Sequence, residues 1–177
     1  MVDHPSFSTG GDEQSISSEL QELETPEGEL HLRFYLPSGK EFALPATGIR
    51  EVVFLSSHII TVIPNTSFSL LGTMNLRGHP VWVADFAQFL GEMGSLNTQR
   101  QEIPVIAIEE RETLIGLAVE EIVGMDWLDV EQIEVPTNLP NSMAPFVQGA
   151  WNLNPESAQL LWLLDQGAIL RSTRWAA

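Results

Sequence analysis

The chain has no cysteine, a single tyrosine, and only eight lysines and arginines against twenty-four acids in 177 residues. The missing cysteine excludes disulfides, thiol catalysis and cysteine-based metal sites, and fits a reducing compartment. The scarcity of cations leaves a net charge of −16. A field of that sign repels phosphate backbones and anionic lipid surfaces, which argues against nucleic-acid binding and membrane-surface roles. No apolar run approaches the ~20 residues a membrane helix needs. The acidic, Ser/Gly-rich start lacks the basic and apolar regions of a signal peptide. A cytoplasmic protein without direct membrane insertion is the expectation.

Catalytic groupings are also lacking. His4, His31, His58 and His79 are scattered and do not have the clustered spacing of zinc ligands. Glu109-Glu110 and Glu120-Glu121 are adjacent pairs, and neighbours on a strand point to opposite faces. Asp126, Asp129, Glu131 and Glu134 do not follow the spacing of a calcium loop. There is no phosphate-cradling glycine loop and no nucleophile elbow. The expectation is a protein that is not an enzyme, with no cofactor and no metal.

What is present is material for a core, since 44% of the residues are hydrophobic. Residues 1–29 hold eight acids and no Lys or Arg, with few large apolar groups. They are expected to form an acidic disordered tail, with a short helix possible over Ser18–Glu24. From Leu30 the pattern turns to period two, and Leu30, Leu32, Phe34 and Leu36 mark a half-buried strand. The turn Pro37–Lys40 returns the chain into Glu41–Leu44. Further extended runs are read at Gly48–Phe54, Glu102–Glu109, Thr113–Asp126 and Val130–Val135. One helical turn is read at Ser67–Gly72, a hairpin over Phe146–Asp165, and a helix over Gln166–Trp175. In the long run Thr113–Asp126, Gly116 and Gly124 are expected to be bulges or bends. About ten short strands with brief helices predict an all-β barrel or pair of barrels. A strand–turn–strand–helix unit at Thr73–Leu90 echoes weakly at Gln148–Leu170, as two similar halves would.

The hairpin around Arg77-Gly78 is the most informative segment. It places a guanidinium at a tight turn on an otherwise apolar surface, where it can close the turn through carbonyls or meet a partner's carboxylate. Trp82, Trp127, Trp151 and Trp162 read as core and subdomain packing.

Six ordered segments carry a resemblance. Asn75-Leu76-Arg77-Gly78 is identical to the hairpin motif of the CheW family, adaptors that couple chemoreceptors to the CheA histidine kinase. Ile49-Arg50-Glu51-Val52, Ile63-Pro64-Asn65-Thr66, Pro80–Phe86, Gly116–Glu120 and Glu131-Gln132-Ile133 are similar to other family segments, in family order. The resemblance covers about residues 30–175. It implies two SH3-like five-stranded β-barrel subdomains that share a core, with a C-terminal helix, and an adaptor without activity of its own.

It further implies that Ile49, Glu51, Gly72, Arg77 and Met125 face the helical hairpin tip of a methyl-accepting chemoreceptor. Arg77 would pair there with a receptor glutamate, and Gly72 would let a helix approach closely. Val52, Val53 and Leu139 would face the regulatory domain of a CheA-type kinase. Such a protein is cytoplasmic and recruited to membrane-associated receptor arrays. The long acidic tail, His79-Pro80 after the motif and the many tryptophans lean towards the twitching and phototaxis branch. Two other functions compete. One is a small β-barrel enzyme, whose mark would be a deep pocket of matched polar groups. The other is an adaptor for a pilus motor component, with the tail as a second contact.

Overall fold

The computed structural model describes residues 27–176. The tail expected over residues 1–29, with its short helix, lies outside the described residues up to residue 26. Ten strands follow: β1 (Glu29–Tyr35), β2 (Glu41–Pro45), β3 (Ile49–Leu55), β4 (Leu70–Leu76), β5 (His79–Asp85), β6 (Ile103–Glu110), β7 (Thr113–Ala118), β8 (Glu121–Leu128), β9 (Val147–Asn154) and β10 (Gln159–Leu164). Two five-residue helices, α1 (Phe86–Leu90) and α2 (Gln166–Leu170), close the β4–β5 and β9–β10 units.

The strands form two five-stranded sheets, ordered β8-β1-β2-β10-β9 and β3-β6-β7-β5-β4. Each sheet has one parallel pair at the same place, β2–β10 in the first and β7–β5 in the second. The other pairings are antiparallel. The second sheet is built from consecutive chain. The first is the same arrangement permuted, with its two middle strands supplied by the N-terminal hairpin β1–β2. The weak echo in the sequence is therefore a real structural repeat.

Alternation along single strands shows how the layers are made. On β6, Ile106 and Ile108 belong to a large core shared by both sheets, whereas Ile103, Val105 and Ala107 belong to a second core inside the β3–β7 sheet. On β10, Trp162 and Leu164 enter the shared core, and Leu161 and Leu163 enter a third one with Trp151. Each sheet thus curls round its own interior and packs its outer face on the other. This is the pair of SH3-like barrels with a common core that the resemblance implies, and it agrees with the strand count.

Both short helices begin with the same device. Asp85 accepts a hydrogen bond from the Gln88 amide at 3.3 Å, and Asp165 accepts one from the Ala168 amide at 3.0 Å. These are N-caps, which satisfy amides that a helix start leaves unpaired. Gly91, at φ 73°, ends α1 in the left-handed conformation. Phe86, Ala87, Phe89 and Leu90 are all buried. Phe89 stacks on Trp175 at 4.1 Å between ring centroids, and Arg174 lies over Phe146 at 4.7 Å. These contacts fix the end of the chain to the shared core.

Five details differ from the sequence reading. Thr113–Asp126 is two strands in different sheets, because the chain leaves β7 at Val119 and crosses over. Gly124 does mark a bulge, at the register shift between β8 and β1. Gly116 does not: it is a packing position, where a Cβ would stand 2.8 Å from Val105 Cγ1. Ser67–Gly72 is a turn that runs into β4 from Leu70, and Val130–Gln132 is a 3-10 turn. The terminal helix stops at Leu170 and resumes only as a 3-10 turn over Thr173–Trp175.

An ionic cluster lies on the inner side of the first sheet. Arg33 bridges Glu41 at 2.6 Å and Asp126 at 3.0 Å, tying β1 to both neighbours. Glu41 is buried and its Oε2 has no partner. Removing the guanidinium would strand that carboxylate. Arg33→Ala is therefore expected to destabilise the fold by about 3 kcal/mol in urea unfolding, and Arg33→Met with Glu41→Leu to recover most of the loss.

Asp85 supports a second prediction. Burial pushes its carboxyl above the usual aspartate range, against the opposing pull of the Gln88 and Ala87 amides. A raised folded-state pKa means that the native state binds the proton more tightly than the unfolded chain. This contribution to stability therefore falls as pH rises from about 4 through the folded value. Asp85→Asn keeps a cap acceptor without the buried charge, so it should be at least as stable as the parent at pH 7. Asp85→Ala should lose about 1 kcal/mol. Urea unfolding at pH 7 separates the two.

Candidate partner-binding groove

The β4–β5 hairpin turns in two residues, Arg77 at φ 51° and Gly78 at φ 87°. Two positive φ values give the turn whose twist suits a hairpin. Asn75 Oδ1 accepts from the Gly78 amide at 2.8 Å and locks it. A left-handed conformation costs an ordinary residue about 1–2 kcal/mol, so arginine is not the choice of local backbone energetics. Its side chain is 72% exposed. The guanidinium donates from Nε to Glu51 Oε1 at 2.9 Å and from Nη2 to Glu51 Oε2 at 3.5 Å. Among the described residues Nη1 has no hydrogen-bond partner. The bond to Glu51, and then its charge, raises the guanidinium above the ordinary arginine range.

Glu51 lies on β3, the outermost strand of its sheet, and β8 is the outermost strand of the other. Both border the shared core: Ile49 and Val52 of β3 and Ile122 of β8 pack on it. The register extends these faces outward. On β3, Phe54 stands on the same face as Ile49 and Val52, opposite Pro104, and is 57% exposed. On β8, Met125 pairs with the core residue Leu32, and Trp127 pairs with Leu30. Met125 is 51% and Trp127 48% exposed, and Val123 beside them is also exposed. Where the two sheets part, the apolar faces that meet inside continue into solvent. Both edge strands thus carry exposed apolar side chains beyond the shared core, and Glu51 of β3 holds Arg77.

The expected partner residues divide on this surface. Met125 and Arg77 are open to solvent, and Glu51 is half-buried with its carboxylate on Arg77. Ile49 is half-buried against the shared core. Gly72 is buried at φ 151°, and a Cβ there would sit 2.1 Å from the carbonyl oxygen of Thr61. The close approach it permits is to its own chain, at the bridge between Thr61 and Thr73. Of the residues expected to face a kinase, Val52 and Leu139 are half-buried on the shared core, and Val53 on the core of its own barrel. Sequence reasoning missed Phe54 and placed Trp127 inside. Trp151 and Trp162 are buried, as read, whereas Trp82 is 37% exposed. The register of β8 is the signal that could have found Trp127, since it lies two residues from Met125 on the same face.

Elsewhere, a cavity of about 270 Å³ is lined by Leu70, Trp82, Ile115, Trp175 and the loop Asn65–Ser67. Among the described residues no group of three or more His, Cys, Asp or Glu is placed to hold a metal ion. No helix among them is long and apolar enough to cross a membrane.

These features define a two-barrel module with exposed apolar side chains on its edge strands and a cation held at a hairpin turn. Residues 31–174 match the CheW-like domain family, and the chain belongs to it. It is similar to protein PilI of Pseudomonas aeruginosa, with 28% identity over 116 residues, 64% of this chain and 62% of that protein. The chain thus covers less than two thirds of that relative's length. It also resembles the crystal structure of the scaffolding protein TtCheW from Thermoanaerobacter tengcongensis, at a TM-score of 0.69 and 21% identity. That match covers 85% of this chain and 97% of the other, and it carries the fold.

The geometry at Gly72 gives a direct test. Gly72→Ala is expected to lower stability by about 2–4 kcal/mol in urea unfolding, because the blocking atoms are backbone and the dihedral is strained for alanine. An unchanged midpoint would show that the Thr61 bridge is not a structural element in solution.

Proposed function

We propose that this chain is a non-catalytic adaptor of a chemosensory system that controls motility, coupling a chemoreceptor-type protein to a CheA-type histidine kinase. One observation supports the receptor contact above the others. Arg77 is held in a left-handed turn conformation, steadied on one edge by Glu51, and presents its remaining donors to solvent. A cation fixed in this way suits a partner carboxylate flanked by apolar side chains, as on the tip of a helical hairpin. Met125, Ile49, Trp127 and Phe54 supply the apolar contact, and methionine suits a surface that adapts to its partner.

Glu51 acts in this reading mainly by positioning Arg77, with a receptor contact of its own at the groove edge. Gly72 serves the site through the Thr61 bridge behind the hairpin. For the kinase, the edge of β3 at Val52 and Val53 and the loop at Leu139 are the proposed contacts. Their half-buried side chains leave much of that interface to neighbouring backbone and polar groups. Family membership supports the scaffold role, and the likeness to PilI favours a pilus-linked output over a flagellar one. In that setting the protein would work in the cytoplasm at receptor arrays. The residues before β1 are proposed as a segment separate from the two-barrel body, which begins at Glu29, one residue earlier than the expected boundary at Leu30.

The test is charge reversal at the rim. Arg77→Glu should weaken docking of a receptor hairpin tip by roughly tenfold or more in a direct binding titration. The unfolding midpoint and binding of the kinase regulatory domain should stay near those of the parent. Normal receptor docking by this variant would remove the groove from the mechanism.

A further inference from the structure

Phe68 is 79% exposed, yet the turn that carries it is firmly bonded. Ser67 and Ser69, on either side of it, are buried and share a hydrogen bond at 3.2 Å. Ser67 Oγ also donates to the Arg174 carbonyl at 3.1 Å. The Ser67 carbonyl accepts from the Leu70 amide at 2.9 Å, and the Ser69 carbonyl accepts from the Asp85 amide at 2.7 Å. The ring is therefore held out by a fixed frame, and ordering it in a contact costs little.

Beside this turn lies the cavity of about 270 Å³ walled by Leu70, Trp82, Ile115 and Trp175, with Ser67 in its lining. Such walls suit an aromatic ring, and a cavity of about 150 Å³ already holds benzene. The wall is preformed, since Trp175 is fixed by its Nε1 bond to the Ile169 carbonyl at 2.7 Å and by its stack on Phe89. Phe68 stands outside the cavity of its own chain. Thr66, on the lip, donates to the Ile63 carbonyl at 3.2 Å, which ties the exposed Ile63 to the same lip.

Charge selects the occupant. No charged side chain lines the cavity. From Val52 to Leu76 there is no Asp, Glu, Lys or Arg, in a chain of net charge −16. Two such chains repel wherever their acidic surfaces meet, and this segment lets a second copy approach without bringing carboxylates together. A ring next to a hollow that fits it is also the self-complementary arrangement of a two-fold pair, in which each copy fills the other.

We propose that Phe68 and this cavity form a two-fold contact between copies of the chain, the Phe68 ring of each entering the Trp82–Trp175 cavity of the other. Each ring buries roughly 150–250 Å², so the contact is small and transient. Leu70 opens β4 and Arg77 follows its last residue, so the contact lies about 20 Å along the strand from the turn cation. It is independent of the receptor and kinase readings above.

The test is the mass of the full chain by sedimentation velocity between about 5 µM and about 500 µM, a range that brackets a small transient interface. The average mass should rise from monomer towards dimer. Phe68→Ser should raise the dimer dissociation constant about tenfold or more, with the urea unfolding midpoint unchanged because the ring is already in water. Over the same series the Trp82 and Trp175 indole NMR signals of the parent should shift with concentration, and those of Phe68→Ser should stay in place. Trp151, buried in the other barrel, is the control.

A parent that stays monomeric at the highest concentration overturns the proposal. So does association that Phe68→Ser leaves intact, or association that leaves both indole signals unmoved, which would put the ring in some other site. A monomeric parent whose Phe68→Ser variant loses the kinase regulatory domain would likewise overturn it and give this face to that partner.

Discussion

The structure depends on a layer of side chains that belongs to neither sheet alone. Leu32, Phe34, Phe42 and Leu44 from the first sheet meet Ile106, Ile108 and Leu117 from the second, with Phe86, Phe89 and Leu90 of α1 wedged among them. A five-stranded sheet of this size has too little interior to be stable by itself. Each sheet therefore uses both faces, one for its own barrel and one for the common layer. That double use explains the near-continuous burial of β6, and it explains why apolar side chains such as Met125, Trp127 and Phe54 stand exposed on the edge strands where the common layer ends.

Arg77 at the β4–β5 turn reaches Glu51 on β3. The Arg77–Glu51 pair thus links the hairpin tip to β3, two elements that share no ladder. An ion pair this exposed adds little to the fold. Its effect is geometric, since it restrains a long side chain whose free edge would otherwise sample many rotamers. Glu51 and Arg77, separate in the sequence reading as two receptor contacts, become one unit with a single outward face.

Much of the architecture was legible in the chain. Extended runs located nearly every strand and Arg77-Gly78 located the hairpin turn, because these are local features with local causes. What escaped was set by distant contacts. Thr113–Asp126 looks like one strand, since both halves are apolar and only the crossover at Val119 divides them between sheets. The glycine at 72 looks like an opening for a partner, but Thr61 fills that space after the chain folds back on itself. Trp127 looks like core, because tryptophan usually is, but it lies on the edge strand β8 and is half exposed. The site was legible in its motif residues and hidden in the side chains that tertiary edges happen to uncover.

The permuted first sheet has a consequence for biosynthesis. One barrel, β3 to β7, is written continuously and can close soon after β7 leaves the ribosome. The other must keep its β1–β2 hairpin waiting, with Phe34 and Phe42 in need of cover, until β8, β9 and β10 have been made. During that interval the finished barrel is the only apolar surface of the same molecule on which the hairpin can rest. The layer that later joins the two halves is thus also what shelters the early strands from neighbouring nascent chains.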